Sequence, residues 1–307
     1  MTFNETPAIA RWTTRVGLFS VALVVVALGA HRFGPMPTLT AFNLVLVAFI
    51  GAVVTLTLGL ASSILIWRQG CAGALRVTAG MVMALGLLAW PLAFLGAYRT
   101  LPAINDLSTD TQSPPKFVEL LKLRGPGTNT STYPVTFAKL QAQAYPDIKP
   151  MFIDRPVEET FEIAREAVFR QKMNIVREQA PESDGGKPGT IEAVDRTAIF
   201  GLYDDIALRV DGDTTRSRID LRSASRFGRH DLGRNAERMR RLMREIVARL
   251  EATIPSATGE SYVKWRKRGQ RVVVKHALDA AKKKGAAAAD DKARKDAAPP
   301  KRSRSQE

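Results

Sequence analysis

Three long stretches near the start of the chain carry no charge, and they limit what it can fold into more than any other feature. Fifteen residues separate Arg15 from His31, 35 separate Arg32 from Arg68, and 22 separate Arg76 from Arg99. About 20 mostly apolar residues cross the hydrocarbon of a bilayer. The second and third stretches meet that length outright. The first reaches it by extending through Trp12–Thr14 and Phe33. A lone short apolar run behind two arginines reads as a signal peptide, but here two longer runs follow it. Backbone groups in lipid must find partners within their own segment. The sequence therefore predicts three transmembrane helices, over about 12–33, 39–67 and 75–98.

Within these spans Trp67, Trp90 and Tyr98 are candidate interfacial anchors, Trp90 the deepest. Pro91 removes a backbone donor and crowds the preceding turn, which predicts a kink in the third helix. Gly51/Thr55 and Gly59/Ser63 have the four-residue spacing of small residues that lets helices approach closely. No Asp, Glu or Lys lies inside any span. Intramembrane ionisable groups mark transport paths and proton relays, so their absence favours an anchor over a transporter. Positive charges near span ends favour the cytoplasm. Arg11, Arg15, Arg68 and Arg76 lie on one side, and only Arg32 and Arg99 on the other. That count predicts a multi-pass protein of a bacterial inner membrane, with a cytoplasmic N-terminus and everything after the third span in the periplasm.

Charge divides the rest of the chain. The net charge is +15, but residues 264–307 alone carry 15 Lys/Arg against five acids, while 100–263 are balanced. The high isoelectric point thus belongs mostly to a tail. The single cysteine excludes a disulfide framework and a thiolate metal cluster.

Residues 101–156 hold eight prolines, at 102, 114, 115, 126, 134, 146, 150 and 156. That density predicts an extended lead across a domain surface, free of long helices and central strands, with a helical turn or two over Lys116–Leu123. Val157, Phe161, Ala164 and Val168 recur at helical spacing behind Pro156, predicting a helix over about 156–171. Strands are expected over Met173–Glu178 and Thr190–Asp195, around a glycine-rich turn at Asp184–Pro188. Ile206, Leu208 and Val210 alternate with polar residues, as do Ile219 and Leu221, around Asp211–Thr214. This is a hairpin with one apolar and one charged face. Met239, Leu242, Met243, Ile246, Val247 and Leu250 stripe a helix over about 232–251, with Asp231 as its cap. The expected fold is an α+β domain over 100–256, an antiparallel sheet with helices on its apolar face.

The charged face offers the candidate ligand-binding residues. Asp205, Arg209, Arg218, Asp220 and Arg222 share it, with Ser223, Ser225, Arg226, Asp231 and Asn235 close behind in sequence. Two readings fit. Opposite charges across strands stabilise a sheet by a few tenths to about 1 kcal/mol per pair, so the face is a charge network holding the loop 223–231. Alternatively, Arg222 and Arg226 bind an anionic group in a polar pocket. Enzyme motifs are absent: no G-x-S-x-G elbow and no phosphate loop. His31, His230 and His276 lie in three separate regions, against a zinc site. The Ser225, His230 and Asp231 cluster is too local to be a triad and reads as loop and cap residues. Asp106 and Asp110 suit an Asp-rich turn capping its own backbone better than a cation site. No cofactor is expected.

The stretches "INDLSTDTQSPPKF" (Ile104–Phe117) and "FGLYDDIALRVDGDTTRSRIDLRSASRFGRHDLGRNAERM" (Phe200–Met239) resemble the bacterial and plastid family of unknown function DUF1499. The resemblance covers roughly 103–252. It implies a compact domain behind a membrane segment, and no established activity. The three-span front and the basic tail lie outside it.

The tail, residues 257–307, lacks apolar periodicity beyond 285 and reads as disordered. Its lysines and arginines suit anionic lipid headgroups or envelope polymers outside the cell, or acidic partners within it. It has little stacking surface for sequence-specific nucleic-acid recognition. The sequence thus supports a bilayer-anchored domain with a binding or structural role in the envelope. Two alternatives are a receptor or enzyme for a small anionic ligand at the Arg/Asp/Ser face, and a cytoplasm-facing tether.

Overall fold

The computed structural model describes residues 6–182 and 186–253. The basic tail and the first part of the turn expected at Asp184–Pro188 lie outside these residues.

The chain opens with helices α1 (Ala8–Phe33), α2 (Thr38–Gln69) and α3 (Ala74–Ala93), followed by the short α4 (Leu95–Thr100). Three helical segments, the last being α3 and α4 together, are long and apolar enough to cross a membrane. The break at Phe94 falls three residues after Pro91, and the Phe94 amide donates to the Pro91 carbonyl at 3.2 Å. Small residues line the seam. Thr13 and Ser62 approach to 3.3 Å through their hydroxyls. A Cβ on Gly80 would lie 2.9 Å from the Thr13 carbonyl oxygen, and one on Gly59 2.5 Å from Met81 Cγ. Gly51, Thr55 and Gly59 belong to this seam as their spacing predicts. Ser62, and not Ser63, completes it: Ser63 is exposed and turns its hydroxyl to the Gly59 carbonyl of its own helix.

Five residues after α4 the sheet begins. Its strands are β1 (Asp106–Ser108), β2 (Met151–Ile153), β3 (Asn174–Gln179), β4 (Gly189–Arg196), β5 (Tyr203–Gly212) and β6 (Ser217–Ser225). All pairings are antiparallel in the order β1-β6-β5-β4-β3, and β2 also pairs with β6. The central hairpin follows the predicted alternation, with Arg209 opposite Asp220 and Leu208 opposite Leu221. Asp213 shapes its turn by accepting the amides of Thr215 and Arg216.

Helix α7 (Val157–Arg170) and helix α8 (Arg234–Ala252) cover the apolar face. Buried there are Phe161, Ala164 and Val168 of α7, Ile206, Leu208, Ile219 and Leu221 of the sheet, and Met239, Leu242 and Ile246 of α8. The result is an open antiparallel sheet with packed helices, an α+β domain behind three apolar helices.

The proline-rich lead does more than cross a surface. Its ends form β1 and β2, which share the outer edge of β6. Between them lie α5 (Glu119–Lys122) and α6 (Val135–Ala144). The prolines exclude central strands but leave edge strands possible. Gln141 of α6 then covers the free edge of β1. Its side chain accepts the Ser108 amide at 3.0 Å and donates to the Ser108 carbonyl at 2.6 Å. An unpaired edge is thereby blunted.

Candidate functional site

The centre of the charged sheet face is buried, because the lead folds over it, while Arg209 and Arg218 at its margin stay partly exposed. Asp205, Asp220 and Arg222 are each at most 3% exposed. Arg222 donates Nε and Nη2 to the two oxygens of Asp106, at 3.0 and 2.6 Å. It also donates to the carbonyls of Pro115 (3.1 Å) and Ser131 (2.8 Å). Its guanidinium lies 4.3 Å from the Phe117 ring centroid, within cation–π range. Asp205 joins two arginines, Arg124 at 2.7 Å and Arg226 at 2.7 Å. Asp220 joins Arg209 and Arg218, and Asp110 bridges the same pair. Glu192 of β4 accepts the amides of Val118, Glu119 and Leu120, fastening the start of α5.

Ser223, Ser225 and Asn235 are not on this face. Strand alternation turns the two serines the other way, under α8. There Ser223 donates to Asn235 Oδ1 at 2.7 Å, and Asn235 Nδ2 donates to Ser225 at 3.1 Å. Asp231 caps the start of α8 by accepting the amides of Gly233 and Asn235. Buried beside them is Arg238, which donates to Asp195 (2.7 Å), to Asp204, to Ser223 and to Asn235. The candidate residues therefore divide into two networks on opposite sides of one sheet.

Burial sets the electrostatics. It pushes the carboxyls of Asp106 and Asp231 above the usual carboxylate range, outweighing Arg222 in the first case and the capping amides in the second. The Tyr133 phenol is pushed up to about 12 by burial and by Asp106. For Arg238 burial acts downward, but Asp204 and Asp195 hold the guanidinium above its ordinary value. Among the described residues no group of three or more His, Cys, Asp or Glu converges as metal ligands would.

A cleft of about 660 Å³ lies where the domain meets α1, between Arg32, Leu123, Lys172, Asn174, Arg196 and Tyr203. Arg226 and Asp195 also reach it. Its position is fixed by the end of β4 and the loop that follows it. Arg196 donates to the carbonyls of His31 (3.4 Å) and Arg32 (2.7 Å), at the end of α1. Gly201 (φ 68°) sits where a Cβ would meet Arg32 Cδ at 2.9 Å, so both backbone and space demand glycine. Phe200 packs on Trp90 at 4.6 Å between ring centroids. Two further ring pairs join the same regions, Tyr98 with His230 at 5.2 Å and Phe42 with Phe227 at 6.5 Å.

The sheet, its strap and its two helices form one continuous stretch of chain. Residues 106–246 match the family model of DUF1499, a protein of unknown function. The DUF1499 segment begins on the first residue of β1 and ends inside α8, so both buried networks lie within it. The three apolar helices and Arg32 of the cleft lie outside it. No curated protein and no solved structure matches the chain.

Several residues of the DUF1499 segment that organise these networks escape a reading by alternation alone: Asp106, Arg124, Glu192, Asp195, Asp204 and Arg238. Two had a usable sign. Asp204 shares strand parity with Ile206 and Leu208, and Arg238 falls on the stripe of Asn235, Leu242 and Ile246. A charge at an apolar position on two neighbouring elements points to a buried pair.

Proposed function

We propose that the chain is a three-span protein of the bacterial inner membrane that presents its DUF1499 segment to the periplasm, in a binding or structural role and not in catalysis. One observation carries the non-catalytic part. The arginines and acids that look like a site in the sequence are engaged by protein groups, and Arg222 spends its guanidinium on Asp106 and two carbonyls. Structural ion pairs of this kind hold the proline-rich strap on the sheet. We assign Asp205, Arg209, Asp220 and Arg222 to that role, and Ser223, Ser225, Asp231 and Asn235 to capping and fastening α8 on the other side of the sheet. Arg226 serves it through Asp205 and also reaches the cleft, which favours a second reading: an anionic ligand bound beside α1.

Sidedness rests on the arginine count at the helix ends. Arg76 donates to Thr6 at 3.0 Å, at the end of the bundle away from Arg32. The side with Arg11, Arg15, Arg68 and Arg76 is the cytoplasmic one under the positive-inside rule. Alkaline phosphatase fused after residues 99 and 260 is expected to be active at both points. Inactivity at both, with a cytoplasmic reporter active in its place, reverses the orientation.

A further inference from the structure

We propose that the cleft beside α1 holds the phosphate of an anionic lipid headgroup, with Arg32 and Lys172 as the cations that bind it. The inference rests on the helices being in a bilayer, and not on which side the domain faces.

Charge is the first ground. Four cations line the cleft against one acid, Asp195. Asp195 is committed to Arg238, and Arg226 to Asp205. Arg196 donates only to carbonyls. Among the described residues Arg32 and Lys172 have no carboxylate partner. Like charges gathered without a counter-charge repel one another, and a phosphate among them reverses the sign of that interaction. Asn174 adds an amide to the lining. The volume falls within the roughly 300–1,000 Å³ of small-molecule sites.

Backbone strain at Lys172 is the second ground. Lys172 sits at φ 58° immediately past α7, where its amide donates to Phe169 and the next amide to Val168. Helices that end this way favour glycine, because a Cβ is strained in the left-handed region. A lysine there is held at a conformational cost, and observed strain of this sort points toward a use for the side chain.

Position selects a lipid over a free anion. Arg196 ties the cleft to the last carbonyls of an apolar helix. Phe33, next to Arg32, is 88% exposed, and Leu123 of the lining is half exposed. A phosphate bound between Arg32 and Lys172 thus has apolar surface beside it for the acyl chains, which inorganic phosphate does not need.

The test uses the full chain in detergent micelles, with phosphatidylglycerol or phosphatidylcholine added and retained lipid counted by native mass spectrometry. The intact protein is expected to retain phosphatidylglycerol in preference to phosphatidylcholine. Each basic residue near a lipid surface is worth about fivefold, so Arg32→Gln with Lys172→Gly should lower retention about 25-fold. Lys172→Gly alone should lower it about fivefold with no fall in the unfolding midpoint, since glycine relieves the backbone. The tail is unchanged in both variants, so retention equal to that of the intact protein assigns the lipid to the tail and overturns the proposal. Displacement of the lipid by millimolar inorganic phosphate overturns it in favour of a free anion. Release of the chain from membranes by alkaline carbonate breaks the membrane reading itself, a separate failure.

Discussion

Replacing Arg222 with alanine tests whether the charged sheet face is a structural clamp. The substitution removes four N–H donations, two to Asp106 and one each to Pro115 and Ser131, together with the stacking on Phe117. Asp106, 2% exposed in the intact protein, then loses its ion-pair partner and keeps only the more distant Arg124. Breaking a buried pair from one side costs about 3–5 kcal/mol, mostly for the charge left behind. That is a large part of the roughly 5–15 kcal/mol that holds a domain folded. With a urea dependence near 2 kcal/mol per molar, the midpoint should fall by about 1.5–2.5 M. Pulse proteolysis of the full chain in micelles reads this directly, because unfolding exposes the strap and sheet to cleavage. The double variant Arg222→Met, Asp106→Leu should recover most of the loss, since a hydrophobic pair leaves no charge uncompensated. A fall under about 1 kcal/mol for Arg222→Ala, or a double variant no more stable than the single one, refutes the clamp.

Gly80→Leu should loosen the helical bundle, because its Cβ would lie 2.9 Å from the Thr13 carbonyl, whereas Gly86→Leu meets nothing within 4 Å and should be neutral. Equal thermal midpoints for the two variants in micelles would remove the seam as the cause. Acid should release the strap through Asp110. Burial raises its carboxyl, but the amides of Ser113 and Gln112 and the guanidinium groups of Arg218 and Arg209 more than offset this and hold it below its ordinary 3.8. The folded state then binds fewer protons than the unfolded state in the window just below 3.8. Stability from this group is present above that window and lost as pH falls through it. Asp110→Asn should flatten the acid limb of a stability-against-pH curve, and an unchanged limb would assign the loss to other carboxylates.

The layers were legible where one physical pattern dominated a segment. Uncharged runs marked α1, α2 and α3, helical spacing marked α7 and α8, and alternation marked β5 and β6. Each of these elements buries one continuous apolar face, and that face is written locally. The lead was less legible because its structure comes from distant partners. β1 exists because β6 offers an edge, and α5 is fastened by Glu192, more than 70 residues further along the chain. The candidate site residues divide between the two sides of the sheet. Alternation assigns Ser223 and Ser225 to the side opposite Arg222, and only the packing of α8 reveals what they meet there. The cleft had no signature in the sequence, since Arg32, Lys172 and Arg196 come from three separate elements.

The end of β4 and the loop that follows it, hooked by Arg196 onto the end of α1, have a consequence for how the domain meets anything else. With α1–α3 in a bilayer, five residues of connection and several ring contacts leave it no stalk on which to swing outward. Its height above the lipid is set, so encounters depend on neighbours drifting within the plane of the sheet of lipid. A soluble molecule must come down to that level, while one already embedded there arrives by sideways travel alone.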